Sequence, residues 1–377
     1  MINSAKHTQN GSVAKSRYSL PTAIRVTVVL CAVLAFGYAT SSSSPLAPSN
    51  YFGLDADAKA TTKSPASVSE WVEETGFYQS IRLTEEEPLY QKQSTYQLIE
   101  VRQSPYYGKL LVLDGVVQVT ERDGNSYNEM LSHIPMFQNS LPRRVLVIGG
   151  GDGYVVSEVL KHESVEHVDH VDLDADVVET CKKFFSWSDC WNDPRVQLHI
   201  ADGANFVSNA PNHSYDVIIQ DSSDPWKLDQ DGEQVNLPSS VLYAPAHFQN
   251  LFRILKPSGV LNMQAESLQI PSDLDGIRKW RNLALSVGFE SAFYGSIMIS
   301  SYPTGQIGFL LCEKDRAAAS PTEHVESRFQ QIVETNKSTT YYHPPLQAGS
   351  FVLPLWAMKH IYNDKVHITK KQTSDEL

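Results

Sequence analysis

The 377-residue sequence has few cysteines, no excess of basic residues, and no apolar run as long as a membrane-spanning helix. Its four cysteines (Cys31, Cys181, Cys190 and Cys312) lack metal-ligand spacing and are too few for a disulfide framework, so we expect buried or free thiols. The 31 Lys and Arg residues against 43 Asp and Glu give a formal charge of −12. An acidic chain lacks the basic stripe that a nucleic-acid backbone requires. We therefore predict no nucleic-acid ligand, and the charge fits a cationic small molecule better.

Residues 26–39 form an uncharged apolar segment with basic residues before it and small residues after it. The segment is shorter than the roughly 20 residues that a spanning helix needs. Its flanks are typical of a secretory signal or a short signal anchor. The last four residues, Ser374–Leu377, resemble endoplasmic-reticulum retrieval signals. We expect a protein of the secretory pathway or endoplasmic reticulum, with a membrane anchor at 26–39 as one possibility and a cytoplasmic location as the alternative.

Composition and periodicity divide the chain into four parts. Residues 1–65 are a targeting segment and linker, and 66–125 form a small domain of short β-strands separated by Pro and Gly turns. Residues 126–316 alternate strands with helices, which predicts a mostly parallel sheet covered on both faces. Residues 317–377 are a C-terminal extension. The predicted fold is α/β: a Rossmann-like sheet of the class I methyltransferase type, preceded by a small N-terminal β-rich domain.

The alternation is specific enough to place individual elements. We predict helices at 126–137, 155–161, 177–185 and 246–255, and strands at 144–148, 167–173, 196–200, 215–220 and 260–264.

A glycine loop follows the first of these strands, with Gly149, Gly151 and Gly153 around Asp152. Glycines there let the backbone turn sharply and approach a ligand, although the spacing is not the full dinucleotide fingerprint. Asp172 ends the next strand, where a carboxylate can accept from ribose hydroxyls, and Asp202-Gly203 follows the strand after that. Each aspartate alone could simply cap a loop. Together they indicate a nucleoside-bearing cofactor of the adenosylmethionine type.

Carboxylates also mark how a cationic ligand would be held. Asp152 inside the loop would repel a pyrophosphate and attract an ammonium group. Asp221 and Asp224 end the strand 215–220, at the same edge of the sheet. Such a pair can hold an amine and act as a general base, and a turn formed by the same two residues is compatible with that role.

Several motifs occur in a fixed order along the chain. They are Tyr96-Gln97, Leu113 to Asp123, Ser126-Tyr127, the glycine loop with Asp152, Asp221 to Pro225, Gln264-Ala-Glu266 and Tyr302 to Phe309, with Phe351 to Pro354 in the tail. In this order the sequence resembles the spermidine synthases of the polyamine aminopropyltransferase family, over residues 70–315 and the tail.

The resemblance implies transfer of an aminopropyl group from decarboxylated S-adenosylmethionine to putrescine, giving spermidine and methylthioadenosine. It assigns Asp221 as proton acceptor. It gives Tyr127, Asp221, Asp224 and Tyr302 as amine-binding residues, and Gln97, Asn128, Asp152, Asp172, Asp202 and Gly203 as donor-binding residues. It also implies a homodimer or homotetramer, and neither the family nor any His/Cys/carboxylate cluster suggests a metal.

Some positions depart from the family pattern and leave alternatives open. Tyr154 replaces a usual glycine and either crowds the donor site or points outward. Asn128 and Asp172 are shorter than the usual residues. The acidic stretch 226–238 is longer than the family's gating loop, so a spermine- or thermospermine-type synthase with a longer acceptor is one alternative. The others are an N-methyltransferase on the same fold, against which Asp152 argues, and a non-catalytic polyamine-binding protein.

Overall fold

A computed structural model describes residues 71–74, 79–228, 234–315, 323–334 and 339–362. The apolar segment 26–39 and the C-terminal tetrapeptide lie outside these ranges. Within them, no helix is both long and apolar enough to cross a membrane. The three cysteines in the described ranges, Cys181, Cys190 and Cys312, are buried free thiols, as expected.

The N-terminal part consists of two small antiparallel sheets. The first pairs β1 (Trp71–Glu74) with β2 (Gln79–Arg82). The second has the order β3-β4-β5-β6, and its strands are β3 (Tyr90–Gln93), β4 (Leu98–Ser104), β5 (Gly108–Leu113) and β6 (Val116–Thr120). Asp114 and Gly115 join β5 to β6, both with positive φ, as a two-residue hairpin turn of this kind requires.

The main sheet has seven strands in the order β14-β15-β13-β10-β7-β8-β9. Its strands are β7 (Arg144–Gly149), β8 (His167–Asp172), β9 (Val196–Ile200), β10 (Tyr215–Asp221), β13 (Leu255–Gln264), β14 (Ser291–Met298) and β15 (Gln306–Glu313). The five strands from β13 to β9 are parallel, and β14 and β15 complete the sheet in antiparallel pairing. The mostly parallel Rossmann-like sheet with a small N-terminal β domain is therefore confirmed.

The α-helices of the described residues include the four predicted ones, whose ends differ from the predicted ends by one or two residues. They are α1 (Gly124–Gln138), α2 (Tyr154–Val159), α3 (Ala175–Phe184), α4 (Gly203–Asn209), α5 (Pro245–Ile254), α6 (Pro271–Val287), α7 (Glu323–Glu334), α8 (Pro344–Ser350) and α9 (Leu355–Tyr362). Short 3-10 helices span Ser186–Asn192, Pro238–Tyr243 and Pro303–Gly305, and β11 (Trp226–Leu228) pairs with β12 (Gln234–Asn236) in a hairpin.

Both faces of the main sheet are covered by apolar packing. Successive residues of β7 alternate between the two faces, so Val145 and Val147 join the cluster beneath α1 and α2. Leu146 and Ile148 join the opposite cluster, to which α5 and α6 contribute. All four side chains are essentially inaccessible to solvent. The sheet edge that carries the loops is therefore held on a rigid, close-packed support.

The C-terminal extension is attached to the catalytic domain by a buried carboxylate. Glu129 on α1 is 1% exposed and accepts hydrogen bonds from the backbone N–H groups of residues 340–342. Tyr342 stacks on Phe137, with ring centroids 5.2 Å apart. Leu353 is buried in the core, as expected for a docking tail segment.

Candidate active site

The strand order reverses between β7 and β10, which are neighbours in the sheet although β8 and β9 lie between them in sequence. Ligands of open α/β sheets bind outside the carboxyl ends of the strands at such a point. Here Gly149 at the end of β7 is paired with Asp221 at the end of β10. A Cβ atom on Gly149 would lie 2.0 Å from the Asp221 carbonyl oxygen, so only glycine permits this approach.

The strand-end carboxylates converge on one crevice. Tyr302, which follows β14, is surrounded by them: burial first, and then the charges of Asp221, Asp152 and Asp224, raise the pKa of its hydroxyl well above the usual range. Its hydroxyl donates to the Gln118 carbonyl on β6 at 2.6 Å. The N-terminal sheet thus holds Tyr302 in place beside these carboxylates.

Asp221 is held by the buried hydroxyl of Tyr127, which donates to its Oδ1 at 2.6 Å. Burial raises the pKa of Asp221 to about 6, and the bond from Tyr127 limits the rise. The rings of Tyr127 and Tyr302 are 5.9 Å apart. Above pH 6 the Asp221 carboxylate is therefore mostly ionised, and Tyr127 holds it in one orientation. Its other oxygen, Oδ2, faces the glycine loop: a Cβ atom on Gly150 would lie 2.7 Å from it.

On the side predicted to bind the donor, Asp152 is 8% exposed and Asp172 is half-buried. Burial raises the pKa of Asp152 to about 8, and the charges of Asp221 and Asp172 add to the rise. Burial likewise raises the pKa of Asp172 to about 6. Like charges in a desolvated crevice disfavour ionisation of one another, so this arrangement is suited to a cationic ligand.

The remaining predicted donor residues make hydrogen bonds of different kinds. The Gln97 side chain donates to Asp174 Oδ2 at 3.1 Å, next to the donor carboxylates. The Asn128 amide donates to the Gly124 carbonyl of its own helix, which leaves its buried Oδ1 without a partner in the structure. Asp202 is exposed and caps α4 by accepting from the Asn205 N–H at 2.7 Å. The structure therefore places Gln97 against Asp174, two residues after the end of β8, whereas the hydrogen bond of Asp202 is made within its own helix.

The side chain of Tyr154, which follows the glycine loop, packs against the N-terminal sheet and the 3-10 helix Ser186–Asn192. Its ring stacks on Trp187 at 4.6 Å and 17°, in a cluster with Phe185 and Val119. Its backbone N–H donates to Asp152 Oδ1 at 2.7 Å. Gly151 packs against Asp172, and Gly153 packs against the 3-10 helix Ser186–Asn192.

At the predicted amine end, Asp224 lies near two further carboxyl groups that the sequence prediction did not assign. Desolvation raises the pKa of the Asp224 carboxyl, and the residue as a whole is exposed to solvent. Glu266 is 7% exposed, and burial with the charges of Asp224 and Asp273 raises its pKa well above the usual range. One Glu266 oxygen has no hydrogen-bond partner. Gln264 donates to Asp224 at 3.2 Å.

Glu266 and Asp174 could have been predicted from the sequence, because each follows a strand of the main sheet, as the predicted aspartates do. Glu266 follows the end of β13 at the same sheet edge and has positive φ (55°), an uncommon conformation for a non-glycine residue. Asp174 follows β8 and caps α3. Asp273 sits on the first turn of α6, and no strand-end rule points to it.

The hairpin of β11 and β12 borders the amine end. Trp226 packs on Trp280 of α6, with ring centroids 5.5 Å apart, and Tyr243 packs on the same indole at 4.7 Å. The Tyr243 hydroxyl donates to Gln264 Oε1 at 2.9 Å. The long insertion is thus attached to α6 through Trp226, and Tyr243, which follows the insertion, joins the same indole to Gln264 beside Asp224. In the described part of the chain, no group of three or more His, Cys, Asp or Glu side chains has the arrangement of a metal site.

Comparison with known proteins agrees with this geometry. The family model for the spermine/spermidine synthase domain matches residues 124–321, and the model for the spermidine synthase tetramerisation domain matches residues 70–121. Spermidine synthase 1 of Hyoscyamus niger is 38% identical over 280 residues, covering 73% of this chain and 84% of that protein. A spermine synthase of Arabidopsis thaliana is 37% identical over 282 residues, covering 73% of this chain and 74% of that one.

Solved structures are similar over the same region. The crystal structure of a spermidine synthase in complex with the transition-state analogue AdoDATO has a TM-score of 0.66 and 29% identity, covering 76% of this chain and 91% of the other. The structure of spermidine synthase from Thermotoga maritima has the same score and identity, covering 78% and 94%. The resemblance found in the sequence motifs is confirmed: the chain belongs to the spermine/spermidine synthase family, and it is an aminopropyltransferase.

Proposed function

We propose that the enzyme transfers the aminopropyl group of decarboxylated S-adenosylmethionine to putrescine, giving spermidine and methylthioadenosine. The observation that carries this proposal is the hydrogen bond from Tyr127 to Asp221, which stands beside Tyr302, a tyrosine whose hydroxyl feels the charges of Asp221, Asp152 and Asp224 together. A base that shares one site with several carboxylates suits the joining of two cationic substrates.

The proposed reaction is a single displacement. The lone pair of one putrescine nitrogen attacks the aminopropyl carbon next to sulfur, and the C–S bond breaks with its electrons moving to sulfur. The sulfonium is neutralised as methylthioadenosine leaves, and the nitrogen gives up a proton. Since the sulfonium is already an activated leaving group, most of the catalysis comes from aligning the nitrogen with the C–S bond.

Asp221 is the proposed proton acceptor. An alkyl ammonium has a pKa near 10.4, and only its deprotonated form is nucleophilic. A pKa of about 6 makes Asp221 a stronger base than an ordinary aspartate while leaving it ionised at neutral pH. Asp224, Tyr127 and Tyr302 would hold the diamine beside it. Asp152 would accept from the donor amine, with Asp172 and Gln97 on the nucleoside side.

A longer acceptor is the second candidate, as in a spermine- or thermospermine-type synthase. Its support is the presence of Glu266 and Asp273 beyond Asp224, which extends the carboxylate-lined end beneath the hairpin. Additional carboxylates could hold an additional ammonium group.

The deciding experiment supplies decarboxylated S-adenosylmethionine with putrescine or spermidine and identifies the products by mass spectrometry. We expect spermidine and methylthioadenosine, with kcat/KM for putrescine at least about tenfold higher than for spermidine, a difference of about 1.4 kcal/mol. A preference for spermidine would transfer the assignment to the second candidate. Turnover with intact adenosylmethionine alone would refute both.

Two further proposals concern the assembly and location of the enzyme. We propose a homodimer or homotetramer formed through residues 70–121, supported by the match to the tetramerisation model, and light scattering should give a mass of two or four chains. We also propose residence in the secretory pathway or endoplasmic reticulum, supported by segment 26–39 and the C-terminal tetrapeptide. Imaging of the tagged full chain tests this, and a diffuse cytoplasmic signal would contradict it.

A further inference from the structure

His170 is a buried side chain in β8 that joins the glycine loop to the 3-10 helix Ser186–Asn192. Its Nε2 lies 2.8 Å from the carbonyl oxygen of Gly149. Its Nδ1 lies 2.9 Å from the indole Nε1 of Trp191. The planes of the two rings are within 4° of parallel, a geometry that permits an in-plane hydrogen bond between them. His170 is fully inaccessible to solvent.

These two contacts determine the tautomer of the imidazole. An indole N–H only donates and a carbonyl oxygen only accepts, so Nδ1 must be the acceptor and Nε2 must carry the hydrogen. Burial lowers the pKa of His170 to about 4, so the ring stays neutral at physiological pH and can hold both roles at once. The result is a directed chain of hydrogen bonds from Trp191 through His170 to Gly149.

The same 3-10 helix holds the glycine loop at other points. Ser188 donates its hydroxyl hydrogen to the Asp152 carbonyl at 2.6 Å. Cys190 and Trp191 lie where a Cβ atom on Gly153 would have to fit, at 2.9 and 3.0 Å. The loop is thus fixed at its first, fourth and fifth residues. The first residue of the loop, Gly149, is the one whose carbonyl bonds to His170, and its Cα faces the Asp221 backbone.

We propose that His170 and Trp191 are positioning residues for the aminopropyl donor, because they fix the Gly149 peptide and with it the place of Asp152 relative to Asp221. Neither touches the reacting atoms. Rotation of the Gly149 carbonyl would displace the loop that carries Asp152 and open the approach to Asp221. The inference deepens the proposed function, since it assumes that the donor occupies the glycine-loop crevice.

The first test is made on the unaltered enzyme, labelled with ¹⁵N-histidine. We expect the His170 imidazole to show a protonated Nε2 and an unprotonated Nδ1 that does not titrate between pH 6 and 8, with the signal assigned by its loss in His170→Gln. A protonated Nδ1, or a titration in that range, would overturn the proposed chain of bonds. This readout is independent of catalysis, so it separates a failure of this inference from a failure of the proposed function.

The second test compares steady-state constants. His170→Leu removes both hydrogen bonds, and we expect the donor KM to rise about tenfold, the typical effect of losing a buried hydrogen bond, while the acceptor KM stays within twofold. His170→Gln offers an amide donor to Gly149 and an oxygen to Trp191, so it should restore most of the donor affinity. Trp191→Phe should raise the donor KM in the same direction.

His162→Leu is the matched control, because His162 is also buried but bonds to His133, away from the glycine loop. It should lower the melting temperature and leave the donor KM within twofold. Equal changes in both KM values for His170→Leu, or an unchanged donor KM, would refute the positioning role. If His170→Leu does not fold, the donor KM of Trp191→Phe and the tautomer measurement test the positioning role instead. An unchanged donor KM in Trp191→Phe, or a protonated Nδ1, would then refute it.

Discussion

Binding of the donor should expel a proton from Asp152. The carboxyl is 8% exposed and lies near two other acidic groups, so its pKa is raised to about 8, with burial as the largest cause and the charges of Asp221 and Asp172 adding to it. A sulfonium and a primary ammonium placed beside it would favour the ionised form and lower that pKa again. Donor affinity and proton release are therefore linked.

The size of the effect follows from the pKa. At pH 7.5 a group with a pKa of about 8 is roughly three-quarters protonated, so its full ionisation on binding releases about 0.75 proton. Asp172 and Asp221, with pKa values of about 6, are already mostly ionised at that pH and add little. Because the empty site must lose a proton to bind, the donor Kd should fall about 20-fold between pH 6.5 and 8.5.

Isothermal titration calorimetry measures this release directly. The binding enthalpy of decarboxylated S-adenosylmethionine is compared in buffers that differ in ionisation enthalpy, and the slope gives the number of protons exchanged. Methylthioadenosine carries neither cationic group, so it should bind with little release. Asp152→Asn should bind the donor more weakly, with no release and a Kd that is nearly independent of pH.

Two results would refute the reasoning. A donor that binds the unaltered enzyme at pH 7.5 without releasing a proton would mean that Asp152 is already ionised or is not near the cation. Equal release in Asp152→Asn would assign the proton to another group.

Asp221→Asn should lower kcat by about 10² or more with little change in donor Kd, measured by methylthioadenosine formation, and a near-normal kcat would place the base elsewhere. Because the pKa of Asp221 is raised in the folded state, its ionised form destabilises the folded protein above pH 6. The free energy of unfolding of Asp221→Asn at pH 7.5 should therefore be higher than that of the unaltered enzyme, by up to about 3 kcal/mol. An equal free energy of unfolding for Asp221→Asn and the unaltered enzyme, measured by urea denaturation at pH 7.5, would contradict this destabilisation. Glu129→Gln leaves several donors of residues 340–342 without an acceptor and should lower the free energy of unfolding by about 2–4 kcal/mol, whereas the exposed Glu326→Gln should change it little. Equal effects of the two Glu substitutions would mean that Glu129 does not anchor the tail.

Most strands and helices of the main domain are predictable because their patterns are local. Buried parallel strands form short apolar runs, as in β7, whose predicted bounds of 144–148 differ from the observed strand by one residue. Helix ends are harder to predict: α1 begins at Gly124, two residues before its predicted start, because the turn at Asp123 already satisfies its first backbone groups. The C-terminal helices α7, α8 and α9 are not predicted from the sequence, and α8 and α9, with seven and eight residues, are too short to be stable without tertiary packing.

In the active site, too, some features are predictable from the sequence and others are not. Asp152, Asp172 and Asp221 are identifiable because parallel strands end at one edge of the sheet, so residues that follow different strands must converge there. The direction in which each side chain points cannot be predicted from the sequence. Gln97 reaches Asp174, 77 residues along the chain, and the Tyr154 ring turns to Trp187 on the 3-10 helix. These choices depend on contacts between segments far apart in sequence.

The sequence by itself determined the family, the parallel sheet and the ring of aspartates at its carboxyl edge, because strand periodicity and turn glycines are written locally and in order. The tertiary structure alone decided which carboxyl groups hold protons. Burial and neighbouring charge raise the pKa of Asp152 to about 8 but those of Asp172 and Asp221 only to about 6. Desolvation and mutual repulsion are properties of packed neighbours, so no spacing along the chain could have separated three aspartates that look alike in sequence.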